Sequence, residues 1–321
     1  MENSIPGATI GSSGQKIPII GFGTADFPFG SSYEAVKESV INAIEAGYRH
    51  FDTASLYESE KPLGDAIAES LKLGLIRSRD ELFITSKLFP RSAHSGLVLP
   101  ALQQTLENLG SEYLDLYLIH FPVSLKADCE LPFEPEDIVE MDIEAVWKDM
   151  EECQILGLTK SIGLSNFTCK KIETLLATAR IPPAVNQVEI NPLWQQKKLR
   201  KYCEEKGIHI TAYSVLGGKG TPWGTNKVME SEILKEIANA RGKTLSQVCL
   251  RWVFEQGVSL VVKSFNKKRM KENLKIYEWK LNEEDLQKID QIPQERGNPA
   301  NLFVTEKGPY KTLFDLWDGE I

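Results

Sequence analysis

Apolar positions along the chain switch repeatedly between two spacings. Ala35, Val36, Val40, Ala43 and Ile44 recur at helical intervals, Gly47 stops that run, and residues 48–52 then read as a short β-favouring piece. The same exchange recurs downstream. Leu63, Ile67 and Leu71 mark a helix closed near Gly74, and residues 81–87 a strand. Val98, Leu102 and Leu106 mark a helix stopping at Gly110, and 114–120 another strand. Strands are expected again at 159–164, 184–188, 208–213 and 258–263, with helices over 168–178 and 196–206 and a pair within 227–255. Together with the buried run at 18–24 these make eight strands, each followed by helix. A parallel sheet with that many crossovers closes into a (βα)8 TIM barrel of the α/β class; an open doubly wound sheet is the runner-up.

Three segments stand outside the alternation. Residues 8–20 hold two short apolar pieces around Ser12, Ser13 and Gly14, an N-terminal β-hairpin signal running into the first strand and placed to plug one barrel end. Residues 121–141, rich in proline and acids, form a long loop ahead of the helix carrying Ile143, Val146 and Met150, and loops of that length in compact domains are functional or disordered. Residues 292–321 form a C-terminal tail. No linker divides the chain, so one domain over 1–321 is expected.

Polar residues gather at one edge of this scheme. Asp52, Lys87, His120, Asn166, Gln187, Tyr213 and Lys263 all fall at strand C-termini, the edge where α/β barrels collect catalytic groups. Asp52 alone reads equally well as a helix cap, and Tyr57, five residues on, as a half-buried aromatic. The shared edge favours a site. Asp, Tyr, Lys and His suit proton donation to a carbonyl oxygen: a phenol titrates near 10, and a nearby ammonium such as Lys87 is expected to lower that value. Asp52 would hold Lys87, and His120 would bond the substrate carbonyl and Tyr57. Acid assistance of this kind is worth about 10² to 10⁴ in rate, but a hydride donor is still needed. Residues 263–273 suggest one, since Ser264 and Asn266 precede a helix and backbone N–H groups, Lys263 and Arg269 can converge on a phosphate. A solvated basic helix face is the other reading of that segment.

Charge and composition narrow the classes. A net charge of −8 argues against a nucleic-acid partner. Five widely spaced cysteines without C-x-x-C indicate neither a disulfide framework nor a metal cluster, and His50, His94 and His209 lack ligand spacing. No leader-like start and no run of about 18 apolar residues occurs, so a cytoplasmic protein without a membrane partner is expected. Tyr57 and Lys61 form Y-x-x-x-K, but the glycine-rich first turn that should accompany that pair in short-chain dehydrogenases is missing. The GGKG at 217–220 lacks a Walker ending.

The blocks GYRHFDTASLYESE, ITSKL, LYLIHFP, IGLSNF, NQVEINP, AYSVLGG and VVKSFNKKRMKEN, in this order over nearly the whole chain, resemble the aldo-keto reductase superfamily. Its members are NADPH-dependent barrel enzymes that reduce aldehydes and ketones. The resemblance implies Asp52, Tyr57, Lys87 and His120 as a catalytic tetrad with Tyr57 the acid. It implies that Ser165, Asn166 and Gln187 hold the nicotinamide carboxamide and that Tyr213 stacks on the ring, with Asp52 bordering it. Gly23 and Thr24 would line the ribose, and Ser214, Leu216 and Gly218 the pyrophosphate. Lys263, Ser264, Asn266 and Arg269 would take the 2′-phosphate, and Glu272 and Asn273 the adenine.

MEEC at 150–153, LPALQ at 99–103, HFPVSLK and SVLGGKGTPWGTN are similar to a plant ketone-reductase branch of specialised metabolism. Phe89 and Phe121 stand where that superfamily usually has tryptophan, and Val215 where it has proline. The expected substrate wall is Phe27, Phe89, His120, Phe121, Trp223 and Leu302, with Phe303 beside it. A small-molecule carbonyl is therefore the expected partner, a cyclic or polycyclic ketone of alkaloid type ahead of a polyketide. Asp128, Glu130, Glu134, Glu136 and Asp137 would attract a cationic amine. A polyketide or imine reductase, a general aldehyde reductase and a non-enzymatic NADPH-binding regulatory subunit are the alternatives, and a monomer is expected.

Overall fold

The computed structural model describes residues 5–321, so residues 1–4 of the expected domain lie outside the described residues. The chain enters through an antiparallel hairpin, β1 (Gly7–Ile10) and β2 (Gln15–Pro18), with Ile10 opposite Gln15. Gly11 and Gly14, at φ 59° and 70°, make its turn possible. Ile10 and Ile17 bury against Phe83, Leu116 and Val185 at the strands' N-terminal end, closing the barrel floor as the hairpin pattern predicts.

Eight parallel strands follow the period switches. They are β3 (Ile20–Gly23), β4 (His50–Asp52), β5 (Phe83–Leu88) and β6 (Leu114–Ile119), and, after the insertion's ribbon of β7 (Ser124–Leu125) and β8 (Ile138–Val139), β9 (Thr159–Ser165), β10 (Val185–Glu189), β11 (His209–Tyr213) and β12 (Ser259–Val262). They close in the order β10-β11-β12-β3-β4-β5-β6-β9, the seam being β12 on β3 with Leu260 opposite Ile20. That closure removes the open-sheet alternative.

The helices between them are α1 (Tyr33–Ala46), α2 (Glu60–Lys72), α3 (Val98–Leu109), α4 (Ile143–Ile155), α5 (Cys169–Leu176), α6 (Lys197–Glu205), α7 (Lys227–Glu230), α8 (Glu232–Arg241), α9 (Leu245–Glu255) and α10 (Lys267–Asn273), with α11 (Glu283–Asp290) and α12 (Leu313–Trp317) in the C-terminal part. Two boundaries differ from the periodicity. Tyr48 stays outside β4 because its N–H bonds back to Ala43 O in the helix-ending turn that Gly47 (φ 107°) allows. The expected pair within 227–255 is three helices, since Ser231 ends the short α7 and caps α8 with its hydroxyl.

The long insertion is ordered against the tail. Val123, Leu125, Cys129 and Ile138 form one apolar cluster with Ala300, Phe303, Leu316 and Trp317, beside the barrel's C-terminal edge. Asp318 ties the tail's end to α5, accepting from Thr168 Oγ1 at 2.6 Å and Lys171 Nζ at 2.5 Å. No helix among the described residues is long and apolar enough to cross a membrane. All five cysteines are buried and free, and no cluster of metal-ligating side chains occurs among the described residues.

Candidate active site

Asp52 is the last residue of β4 and Lys87 the penultimate residue of β5; parallel pairing sets Asp52 opposite Thr85, so that Lys87, two residues on, shares its face. Lys87 Nζ donates to Asp52 Oδ1 at 2.6 Å and to Thr53 O at 2.9 Å, and Gln187 Nε2 donates to Asp52 Oδ2 at 2.7 Å. Lys87 is 1% exposed and Asp52 4%, so both charges depend on this pairing. Burial draws the Lys87 amine below its ordinary value and Asp52 opposes that shift.

Tyr57 ends a short 3₁₀ turn, Ser55–Tyr57, that follows the strand. Its hydroxyl lies 3.3 Å from His120 Nε2, and Lys87 Nζ lies 5.0 Å from its ring centre. Burial, with the Asp52 carboxylate adding to it, pushes the phenol well above its ordinary value. The shift runs opposite to the one expected from Lys87, because burial of the phenol dominates. Burial, and then Lys87, hold the His120 imidazole well below its ordinary value, leaving it neutral. The buried Nδ1 has no hydrogen-bond partner among the described residues.

The three residues expected at a carboxamide lie together on the next strand ends. Ser165 Oγ donates to Gln187 O at 2.9 Å, and Asn166 Nδ2 to His120 O at 2.9 Å. Asn166 adopts φ 66°, which asparagine tolerates, and its Oδ1 accepts from the Tyr213 hydroxyl at 2.7 Å. Thr24 Oγ1 bonds Asp52 O at 3.1 Å and Ser59 Oγ at 2.7 Å. Gly23 faces open space, with no atom within 4 Å of where a side chain would begin. Ser214, at φ 50°, opens a loop whose Gly217 and Gly218 are also left-handed, with Leu216 half-buried just ahead of them. Such an open strand edge flanked by flexible backbone fits a dinucleotide.

At the far end, two backbone donors of the expected phosphate segment are bonded within the segment itself. The Arg269 N–H is taken by Asn266 Oδ1 at 3.0 Å, and the Asn266 N–H by Ser264 Oγ at 3.2 Å. The Lys263 and Arg269 side chains are exposed there. Lys263 Nζ is shared with Asp26 Oδ1 at 2.6 Å, a pair not foreseen from the sequence. Glu272 is half-exposed, while Asn273 is almost fully buried.

Aromatic rings wall the mouth. Phe121 lies 5.3 Å from the His120 ring and 5.1 Å from that of Phe303, while Leu302 is 58% exposed, so the tail's inward contact comes from Phe303. Phe89 packs on the insertion–tail cluster. Phe27 meets Trp223 edge-on at 6.3 Å. Phe29, absent from the expected wall, stacks on Tyr57 at 5.6 Å and on Trp223 at 5.6 Å. Its signal was an aromatic in the glycine- and proline-containing stretch F-P-F-G directly after β3. Glu189 was also overlooked, although it too is a polar strand-end residue. His50, His94 and His209 bond Thr85, Leu125 and Ser259 respectively, in keeping with structural roles.

A model of the Aldo/keto reductase family matches residues 19–294. The (1S)-1,7-diacetoxy-luvungin A aldo-keto reductase of Citrus sinensis is 61% identical over 321 residues, covering 100% of both chains. NADPH-dependent codeinone reductase 1-4 of Papaver somniferum is 56% identical over 318 residues, 99% of this chain and 98% of the other. The crystal structure of a Bombyx mori aldo-keto reductase in complex with NADP superposes with a TM-score of 0.82 at 35% identity, covering 92% of this chain and 95% of the other.

Proposed function

Since the chain belongs to the Aldo/keto reductase family and uses NADPH, we propose that it reduces a cyclic or polycyclic ketone to the alcohol, with Tyr57 as proton donor. The observation that carries this reading is the Tyr57 hydroxyl, 3.3 Å from a buried imidazole and beside the buried Lys87–Asp52 pair. The residues from Gly23 to Arg269 along this edge would hold NADPH, whose chemistry when bound would be hydride donation to the carbonyl carbon. Tyr57 then gives its hydroxyl proton to the carbonyl oxygen, completing the alcohol. A phenol kept protonated by burial is in the form that step requires. Neutral His120 orients it without competing as an acid. Lys87, tied to Asp52, leaves a positive group near the phenolate formed on donation.

For the substrate, the aromatic wall of Phe27, Phe29, Phe89, Phe121 and Trp223 supports a bulky ring system. The acids of the insertion are partly answered internally, Glu136 by Lys307 and Asp137 by Lys126 at 3.5 Å, which weakens steering of a cation. An uncharged oxygenated ring ketone therefore stands ahead, in keeping with the diacetoxy compound in the Citrus relative's name. A cationic alkaloid ketone is the second reading, favoured by the likeness to codeinone reductase. We read the protein as a monomer working in the cytoplasm. The test is NADPH oxidation, followed by absorbance, with 4-nitrobenzaldehyde and a panel of neutral and cationic ring ketones. Turnover of glyceraldehyde or xylose far above every ring ketone would defeat the substrate reading. NADPH binding without any turnover would indicate a regulatory subunit.

A further inference from the structure

Glu189, the last residue of β10, lies two residues beyond Gln187 and touches none of the proposed reacting groups. The residue is 2% exposed, and among the described residues its carboxylate forms no ion pair, Arg296 acting on it only at longer range. Instead it is bound to the C-terminal tail. Oε1 accepts from Gly297 N at 3.1 Å and Asn191 Nδ2 at 3.2 Å, and Oε2 accepts from Asn298 N at 2.8 Å. One carboxylate taking two consecutive backbone N–H groups fixes both the place and the direction of the segment that carries them. The fit is close: a side chain begun at Gly297 would lie 2.5 Å from Oε1.

Two lines of contact lead from the held segment into the site. Asn298 Nδ2 reaches the Tyr213 hydroxyl at 3.4 Å, Tyr213 donates to Asn166 Oδ1 at 2.7 Å, and Asn166 Nδ2 donates to His120 O at 2.9 Å. Three residues beyond Ala300, whose φ of 57° turns the chain, Phe303 rests 5.1 Å from Phe121. Behind the latch lies a cavity of about 250 Å³ lined by Glu189, Thr225, Lys227, Glu295 and Arg296. The tail has room to shift there once the carboxylate lets go.

We propose that Glu189 is a positioning residue that latches the C-terminal tail, setting Phe303 in the substrate wall. It thereby determines how well a bulky ketone is held. The proposal rests on the carbonyl-reductase reading, and its test separates the two.

Glu189→Gln keeps the shape but places an amide donor where two N–H groups need acceptors, and Gly297→Ala presses on the same contact from the tail. In each variant KM for a ring ketone should rise about tenfold, the effect of losing one charge-assisted bond, while kcat and the KM for 4-nitrobenzaldehyde stay within about twofold. The double variant should cost no more than the worse single one. Limited proteolysis without ligand should cut the tail faster in both variants. Wild-type tail protection in Glu189→Gln overturns the proposal, as does an equal change in KM for both substrates. If the wild-type protein turns over no carbonyl, the enzymatic reading fails, and the proteolysis still decides the latch.

Discussion

Tyr57 holds its proton because burial, with the Asp52 carboxylate adding to it, raises the phenol well above its ordinary value, and this sets the pH dependence. Reduction should be level through neutral pH, fall on the acid side only well below 6.5, where His120 charges, and fall on the alkaline side only above 10. Tyr57→Phe should bind NADPH normally and lose at least about 10²-fold in kcat, measured under saturating cofactor. Near-full activity in that variant would remove the tyrosine from the chemistry. The residue types of the tetrad were readable because four reactive groups fell at strand ends or just beyond. The direction of the phenol's shift was not, because it depends on how deeply the fold buries the ring. Asp26 was equally hidden, lying 237 positions from the lysine it meets. Asp26→Asn should free Lys263 and tighten NADPH binding by up to about fivefold, the scale of a part-exposed ion pair, with NADH unchanged. A matching gain for NADH would show that the pair acts on loop structure instead.

Among the elements, every barrel strand announced itself through the change of apolar period, and Gly47 and Gly110 marked helix ends through the left-handed turn that glycine allows. Contacts between the insertion and the tail had no such signal. Phe133 and Phe303 stack at 5.9 Å, yet neither stretch has a period that names its partner. Phe121 joins this cluster to His120, so its size sets the depth of the mouth. Phe121→Trp should raise KM for a ring ketone by about tenfold or more, an overpacking effect, and leave 4-nitrobenzaldehyde nearly unchanged. Parallel losses on both substrates would mean that the added ring disturbs His120 itself.

At the scale of the whole molecule, the barrel floor carries an acid sensitivity. His50 is fully buried beside Gly21 and between Thr85 and Pro18 O, and burial lowers its pKa from 6.5 to about 4. The unfolded chain takes up that proton first. Stability from this group is therefore complete above 6.5, falls as pH drops from 6.5 towards 4, and levels off below, a loss of about 3 kcal/mol in all. His209, also lowered to about 4, acts in the same sense. Urea midpoints should decline over that window, and the His50 imidazole resonance should titrate near 4; a midpoint near 6.5 would refute the assignment.

The column of Tyr57, Phe29 and Trp223 joins three loops, those that leave β4, β3 and β11, and each stacked pair is worth only about 0.5 to 1.5 kcal/mol. A contact that weak opens readily, and it ends in an indole. Trp223 is thus a built-in fluorophore whose surroundings change whenever a ring slides over Tyr57. Titrating a ring ketone into the NADP-bound protein should shift its emission, and the shift should vanish in Trp223→Phe. Entry to the site can then be timed by light without any turnover.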